Sequence, residues 1–228
     1  MKKRIAQTGM ALLLLISIFF LSREGAQLVN GPLKEKSKGV IVVDSGHGGM
    51  DPGVIGQNEL KEKEINLAIA KKLERLLEAD GYDVIMTRKK DEGLYEENSP
   101  NKKVQDMQKR CEIIKENQPL LTVSIHQNSY PDEQVCGPQV FYYESSVEGK
   151  KLAMCIQEAL NEKLKIERPR VEKSNRTYYL LKRSEGVLNI VECGFLSNKK
   201  EAELLVQDKY QEKVAKAVEK GILKYLED

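Results

Sequence analysis

Short runs of consecutive apolar residues alternate along the chain with longer segments in which apolar residues recur every three or four positions. Short continuous runs predict strands buried on both faces, and the longer pattern predicts amphipathic helices. The first run is Val40–Val43, and a helix is expected over residues 62–79, with Gly81 as its stop. A strand followed by a helix is the repeating unit of α/β proteins.

The same alternation continues to the end of the chain. Further strands are expected at residues 82–87, 120–125, 137–143, 177–181 and 187–191. Further helices are expected at residues 104–117, 147–164, 199–206 and 209–226. Polar segments at residues 89–102 and 167–174 are expected to be surface loops. We therefore predict an α/β fold in a single domain, with a twisted, mixed but mostly parallel sheet of about six strands and helices on both faces.

The N-terminus has the pattern of an export signal. Lys2, Lys3 and Arg4 precede an uncharged apolar stretch at residues 5–21. Because no Ala-x-Ala site follows, an uncleaved anchor is favoured over a cleaved peptide, and a buried core helix is the remaining alternative. We predict a signal-anchor or signal peptide at residues 1–22, a linker at 23–38 and the folded domain at 39–228. The domain is then extracytoplasmic, either secreted or held at the membrane by its N-terminal segment.

Composition narrows the range of partners. The 228 residues carry a net charge of only +2, with acids and bases interspersed, so no basic stripe predicts nucleic-acid binding. The four cysteines are even in number but include no CxxC pair, which leaves disulfides and buried thiols both open. They are Cys111, Cys136, Cys155 and Cys193.

The two histidines of the chain each follow an apolar run. His47 lies in a glycine-rich turn after the first strand, and His126 ends the run that begins at Leu120. Glu62 opens the first helix, and the loop from the first strand delivers it to the side of the sheet where His47 lies. Two neutral imidazoles and a carboxylate match a His₂Glu zinc site with an open fourth position. A plain glycine turn, or a loop that cradles phosphate, is the alternative, although the spacing fits no phosphate-binding motif.

Two further segments contain charged residues that are candidates for a functional site. Glu192 follows the apolar run 187–191, where a carboxylate is costly to bury unless it is paired or bound to metal. Arg168 and Arg170 lie in the basic loop at 167–174, where they either present a charge to an anionic ligand or are simply solvated.

Five ordered motifs resemble the signatures of the zinc-dependent N-acetylmuramoyl-L-alanine amidases, the third family of bacterial cell-wall amidases. They are Asp44–Gly49 with Asp51-Pro-Gly, Glu62–Leu67, Thr87-Arg88, Ser124–Asn128 and Glu192–Asn198. The resemblance spans residues 39–228 and implies an α/β fold like that of the phosphorylases and related hydrolases. Ser45 stands where the family often has Pro or Ala.

The resemblance also implies roles for individual residues. His47, Glu62 and His126 would bind one Zn²⁺, and Glu192 would be the catalytic carboxylate that serves hydrolysis of the bond between N-acetylmuramic acid and L-alanine in peptidoglycan. Candidates for orienting the metal ligands are Asp44, Asn66 and Asn128. The alternatives are a catalytically idle module that binds peptidoglycan, and another zinc hydrolase of cell-wall peptides such as a carboxypeptidase or deacetylase.

The short chain, without wall-binding repeats, is similar to the germination-specific members of this family. That similarity implies spore-cortex peptidoglycan as the substrate, in the pathway to muramic-δ-lactam, and a location that includes the intermembrane space of the forespore. It also raises the expectation of an activating protein partner, such as a spore lipoprotein.

Overall fold

The computed structural model of the chain describes residues 15–19 and 37–227. The chain divides into two units, Met1–Ser37 and Lys38–Asp228. In the first unit, residues 15–19 are helical with exposed side chains. The rest of the predicted signal segment and nearly all of the predicted linker lie outside the described residues. In the described ranges, no helix combines the length and apolar character needed to cross a membrane.

Six strands in the described part of the second unit form one mixed sheet. They are β1 (Val40–Ser45), β2 (Asp83–Met86), β3 (Leu121–Asn128), β4 (Gln139–Tyr143), β5 (Lys173–Asn175) and β6 (Leu188–Phe195). Their spatial order is β2-β1-β3-β6-β4-β5. Strands β2, β1, β3 and β6 are parallel to one another. Strand β4 is antiparallel to β6, and β5 is parallel to β4. The prediction of a mixed, mostly parallel sheet is confirmed.

Helices connect these strands. Those of the second unit are α1 (Glu62–Ala79), α2 (Lys102–Asn117), α3 (Val147–Leu164), α4 (Tyr179–Arg183), α5 (Lys199–Leu205) and α6 (Asp208–Glu227), with a 3-10 turn at Gln57–Glu59. The parallel strands β1, β2 and β3 are joined by α1 and α2, as in other α/β folds.

Helices cover both faces of the sheet because alternate residues of a strand point to opposite sides. On one face, β1 residues Ile41 and Val43 belong to a core cluster that also includes apolar residues of α1, α3 and α6. On the other face, Val42 and Ile190 lie in a smaller cluster with residues of α2 and α4. Helices therefore cover both faces of the central strands, which confirms the predicted helix placement.

The prediction of a strand at residues 177–181 is wrong. These residues lead into α4, and the neighbouring strand, β5, overlaps the end of the segment at 167–174 that was expected to be a loop. The Asn175 side chain accepts hydrogen bonds from the backbone N–H groups of Thr177 (2.7 Å) and Tyr178 (2.8 Å), which turns the chain away from the sheet. Leu180 and Leu181 lie in α4, and their side chains are buried. A short apolar cluster does not distinguish a strand from one helical turn.

Candidate active site

The sheet topology brings together side chains from four separate elements. His47 follows β1, His126 lies in β3, Glu192 lies in β6, and Glu62 is the first residue of α1. Because β1, β3 and β6 are adjacent and parallel, their carboxyl ends lie along one edge of the sheet. His126 and Glu192 are direct partners in the register between β3 and β6.

Three potential metal ligands converge at this edge. His47 Nε2 lies 3.2 Å from Glu62 Oε2, and His126 Nδ1 lies 2.9 Å from Glu62 Oε1. One donor atom from each residue lies within 4.8 Å of the others. Zinc bonds of about 2.0–2.1 Å in a tetrahedral site separate ligand atoms by roughly 3.3 Å, so these side chains fit such an ion with little adjustment.

The Glu62 carboxylate is held in place by hydrogen bonds from two backbone N–H groups and one side-chain amide. Its Oε2 accepts from Val54 N at 2.8 Å, and its Oε1 accepts from Gln127 N at 3.0 Å and from Asn66 Nδ2 at 3.1 Å. Burial would raise the pKa of Glu62, but the two histidines outweigh it and hold that pKa well below its usual range. The carboxylate is therefore charged, as a metal ligand must be, and Asn66 is the residue among the expected orienting groups that contacts it.

His47 is oriented by Asp51, a motif residue that was not among the expected orienting groups. His47 Nδ1 lies 2.9 Å from Asp51 Oδ2, so its other nitrogen, Nε2, is directed toward Glu62. Burial lowers the pKa of His47, yet Glu62 and Asp51 together raise it above its ordinary value. His47 also has a φ of 60°, in the left-handed region that few residues other than glycine adopt. Neighbouring contacts therefore impose this conformation.

Two glycines leave room for the cluster. A Cβ on Gly46 would lie 2.3 Å from His126 Nε2, and a Cβ on Gly53 would lie 2.5 Å from Glu62 Oε2. Gly53 also has a φ of +70°. Both positions require glycine because the loop backbone passes directly against the side chains of the cluster.

Two buried arginines hold the backbone of the loop that carries His47. Arg110 donates to the carbonyl oxygens of Ser45 and His47, both at 2.7 Å. Arg88 donates to the carbonyl oxygens of Ser45 and Gly46, both at 3.0 Å. Three consecutive carbonyl groups are thus fixed by guanidinium donors, which positions the His47 side chain over the sheet edge.

Asp44 orients Arg110 rather than one of the potential metal ligands. Its Oδ1 lies 2.6 Å from Arg110 Nη1 and accepts from the Thr87 hydroxyl at 2.7 Å. Burial would raise the pKa of Asp44, but Arg110 and the Ser124 hydroxyl lower it to about 2. This ion pair anchors the guanidinium that fixes the loop. Asn128, the third expected orienting residue, accepts a hydrogen bond from Ser129 N.

Glu192 is a buried carboxyl without a strong partner. It is 8% exposed, and its Oε2 has no hydrogen-bond partner in the described part of the chain. Burial, with a smaller contribution from the Glu62 charge, raises its pKa to about 7 despite the opposing effect of both histidines. A group with this pKa can both accept and release a proton near neutral pH.

These residues line an open groove with a volume of about 490 Å³, which we call the active-site groove. His47, Glu62, His126 and Glu192 are among the residues that line it. The lining also includes side chains that the motifs did not indicate, namely Lys103, Met107, Tyr178 and Tyr179.

The sequence pattern of the family described as N-acetylmuramoyl-L-alanine amidase (Amidase_3) matches residues 41–224. The chain belongs to this amidase family. It is 38% identical over 189 residues to the germination-specific N-acetylmuramoyl-L-alanine amidase of Bacillus subtilis (strain 168), a match that covers 82% of this chain and 79% of that one. The matched region includes every residue of the cluster, so the resemblance seen in the motifs is confirmed.

Two solved structures share the fold of this amidase. The CwlD amidase from Clostridioides difficile, in complex with the GerS lipoprotein, is 40% identical with a TM-score of 0.81, covering 83% of this chain and 99% of that chain. The amidase AmiC2 of Nostoc punctiforme is 31% identical with a TM-score of 0.73, covering 83% and 97% of the two chains. The single-domain α/β architecture is therefore that of the family.

Other residues considered in the sequence have structural positions in the amidase. Arg170 Nε donates to the Cys136 carbonyl oxygen at 3.0 Å, and its guanidinium lies 5.2 Å from the centre of the Phe195 ring. It therefore joins two loops, and neither Arg170 nor Arg168 lines the active-site groove. All four cysteines are within the described residues, and none forms a disulfide.

Proposed function

We propose that this amidase is a zinc enzyme that hydrolyses the bond between N-acetylmuramic acid and L-alanine in peptidoglycan. The observation that carries the proposal is the convergence of His47, Glu62 and His126 beside Glu192 in the lining of an open groove. A bound zinc ion would polarise the scissile carbonyl and make water a better nucleophile. An open groove suits a polymeric substrate.

In this proposal each of the three metal ligands is held in place by a different contact. Glu62 is kept charged by the two histidines, and His47 presents Nε2 because Asp51 is bonded to its Nδ1. His126 lies beside Glu192 in the register of the sheet, so the proposed base and one of the metal ligands are held by neighbouring strands. Sites on strands keep their geometry better than sites on flexible loops.

Glu192 is the proposed proton carrier. Its carboxylate takes a proton from the attacking water and delivers it to the amide nitrogen as the bond to carbon breaks, so that L-alanine leaves as an amine. Burial raises the pKa of Glu192 in the metal-free protein, and a carboxyl group whose pKa is raised accepts a proton more readily than an exposed one.

We further propose that the substrate is the peptidoglycan of the spore cortex and that the enzyme works outside the cytoplasm. The similarity to a germination-specific amidase and to an amidase solved with a lipoprotein supports this assignment. A lipoprotein of the spore is accordingly the proposed activating partner. The N-terminal signal-anchor at residues 1–22 stays a prediction, and it would place the enzyme at the membrane face where such a lipoprotein is anchored.

Mass spectrometry of digested peptidoglycan tests the proposed reaction. Wild-type protein, with zinc and with the lipoprotein partner added, should release intact stem peptides and leave free lactyl groups on the glycan. Glu192→Gln should release stem peptides at least about a hundredfold more slowly, whereas Glu167→Gln, which changes an exposed carboxylate outside the groove, should match the wild type. Shortened stem peptides or deacetylated sugars would instead indicate a different zinc hydrolase. Zinc binding without any product would indicate an idle binding module.

A further inference from the structure

A second cavity adjoins the active-site groove at the start of α2. Its volume is about 470 Å³, and Asp51, Lys103 and Asp106 line both this cavity and the groove. Tyr95 and Lys102 form part of its remaining wall. A substrate chain in the groove can therefore continue past Lys103 into what we call the second cavity.

The acidic side chains at this junction are already engaged. Asp106 Oδ2 lies 2.6 Å from Arg110 Nε, and its Oδ1 accepts from Leu94 N at 2.7 Å. Asp51 accepts from Gly53 N at 3.2 Å, in addition to its short contact with His47. Their charges are offset within the protein.

Lys103 is much less engaged. Its closest carboxylate oxygen is Asp51 Oδ2 at 3.5 Å, and its side chain is 74% exposed. Lys102, by contrast, lies with its ammonium 5.3 Å from the centre of the Tyr95 ring. Lys103 is therefore the lysine that keeps donors for a ligand at the junction of the two spaces.

The groove is also lined by residues of a different character. Tyr178, Tyr179, Asn128 and Ser129 contribute aromatic, amide and hydroxyl groups to it. Neutral polar and aromatic groups suit a sugar, whereas an ammonium suits a carboxylate. The groove lining thus offers neutral polar groups as well as the exposed ammonium of Lys103.

Distances match this division. Asp51 Oδ2 lies 2.9 Å from His47 Nδ1 and 3.5 Å from Lys103 Nζ, so a single side chain separates the metal-ligand cluster from the ammonium. An extended peptide advances roughly 3.5 Å per residue. A carboxylate on the residue after the scissile L-alanine would therefore lie within reach of Lys103.

We propose that the second cavity is the subsite for the stem peptide and that Lys103 pairs with the free carboxylate of its second residue. D-glutamate at that position is linked through its side-chain carboxyl, so its α-carboxylate is free unless it is amidated. The glycan then lies against Tyr178 and Tyr179, which line the groove. This inference rests on the proposed amidase function and adds the direction in which the substrate is bound.

The test pairs a change in the enzyme with a change in the substrate. Two synthetic glycan fragments would carry stem peptides that differ only in having D-glutamate or D-isoglutamine at the second position. Wild type, Lys103→Gln and the control Lys115→Gln, which changes an exposed lysine near the other end of α2, would be assayed on both. Full-length protein is used with zinc and the lipoprotein partner present.

The expected result is a rise of about fivefold in KM for Lys103→Gln on the D-glutamate substrate, with kcat unchanged. The same variant should show no change on the D-isoglutamine substrate, and Lys115→Gln should match the wild type on both. A rise in KM that is equal on both substrates, or absent on both, would overturn the inference while leaving the amidase function intact. Failure of the wild type to cleave either substrate would overturn both.

Discussion

Replacing Glu192 with glutamine should remove a pH-dependent cost to stability as well as the proposed catalytic base. Burial raises the pKa of Glu192 from 4.5 to about 7 in the folded, metal-free protein. Such a carboxyl binds its proton more tightly in the folded state than in the unfolded state. Its contribution to stability is therefore complete below pH 4.5 and is lost as the pH rises through 7. The shift corresponds to about 3 kcal/mol at alkaline pH.

Denaturant unfolding of the metal-free proteins at pH 5 and pH 8.5 measures this cost. The free energy of unfolding of Glu192→Gln, relative to the wild type, should increase between the two pH values by up to about 3 kcal/mol. Comparing two pH values cancels any constant effect of the amide group. Glu167→Gln should show no such change. An identical difference between Glu192→Gln and the wild type at both pH values would refute the assigned burial and pKa.

The same variant should lose roughly 10²–10⁴-fold in kcat on peptidoglycan while still binding zinc, because the base lies beside the metal ligands and is not one of them. Activity close to that of the wild type would contradict the proposed role of Glu192.

Three further substitutions test the supports of the site and the fold. Arg110→Gln should cost about 4 kcal/mol of unfolding free energy in denaturant titrations, because it leaves the buried Asp44 without its ion pair. Adding Asp44→Asn should recover part of that loss, and no recovery would contradict the pairing. Asp51→Asn should weaken zinc binding about tenfold in a chelator competition, with an unchanged melting temperature. Gly221→Ala should destabilise the fold by about 2 kcal/mol, because the new Cβ would lie 2.4 Å from Ile156 Cα, whereas Lys213→Ala on the exposed side of α6 should not.

Much of the fold follows from local patterns in the sequence. Runs such as Val40–Val43 can be buried only if both sheet faces are covered, and this predicted the parallel centre of the sheet. The same reasoning placed His47, His126 and Glu192 at the ends of strands. Since parallel strands share an edge at their carboxyl ends, it also predicted that these side chains would lie near one another, as they do in the structure.

The supports of the site could not be predicted in the same way. Arg110 lies in the middle of a helix pattern, and nothing local indicates that its guanidinium reaches the carbonyl groups of the His47 loop. Asp51 had a usable signal, since it lies four residues after His47 in a Pro-Gly turn, but its side-chain direction depends on a tertiary contact. The wrong strand at residues 177–181 has a similar cause, because the Asn175 side chain redirects the backbone there.

The central claim is that His47, Glu62 and His126 together bind the zinc ion on which amide hydrolysis depends. Metal analysis of purified protein, made alongside the peptidoglycan assay, tests it most directly. We expect one zinc ion per chain in the wild type and in Glu192→Gln. His126→Ala should lose both zinc and activity while its circular dichroism spectrum shows a preserved fold. A full equivalent of zinc in His126→Ala, or release of stem peptides by the chelated wild type, would contradict it.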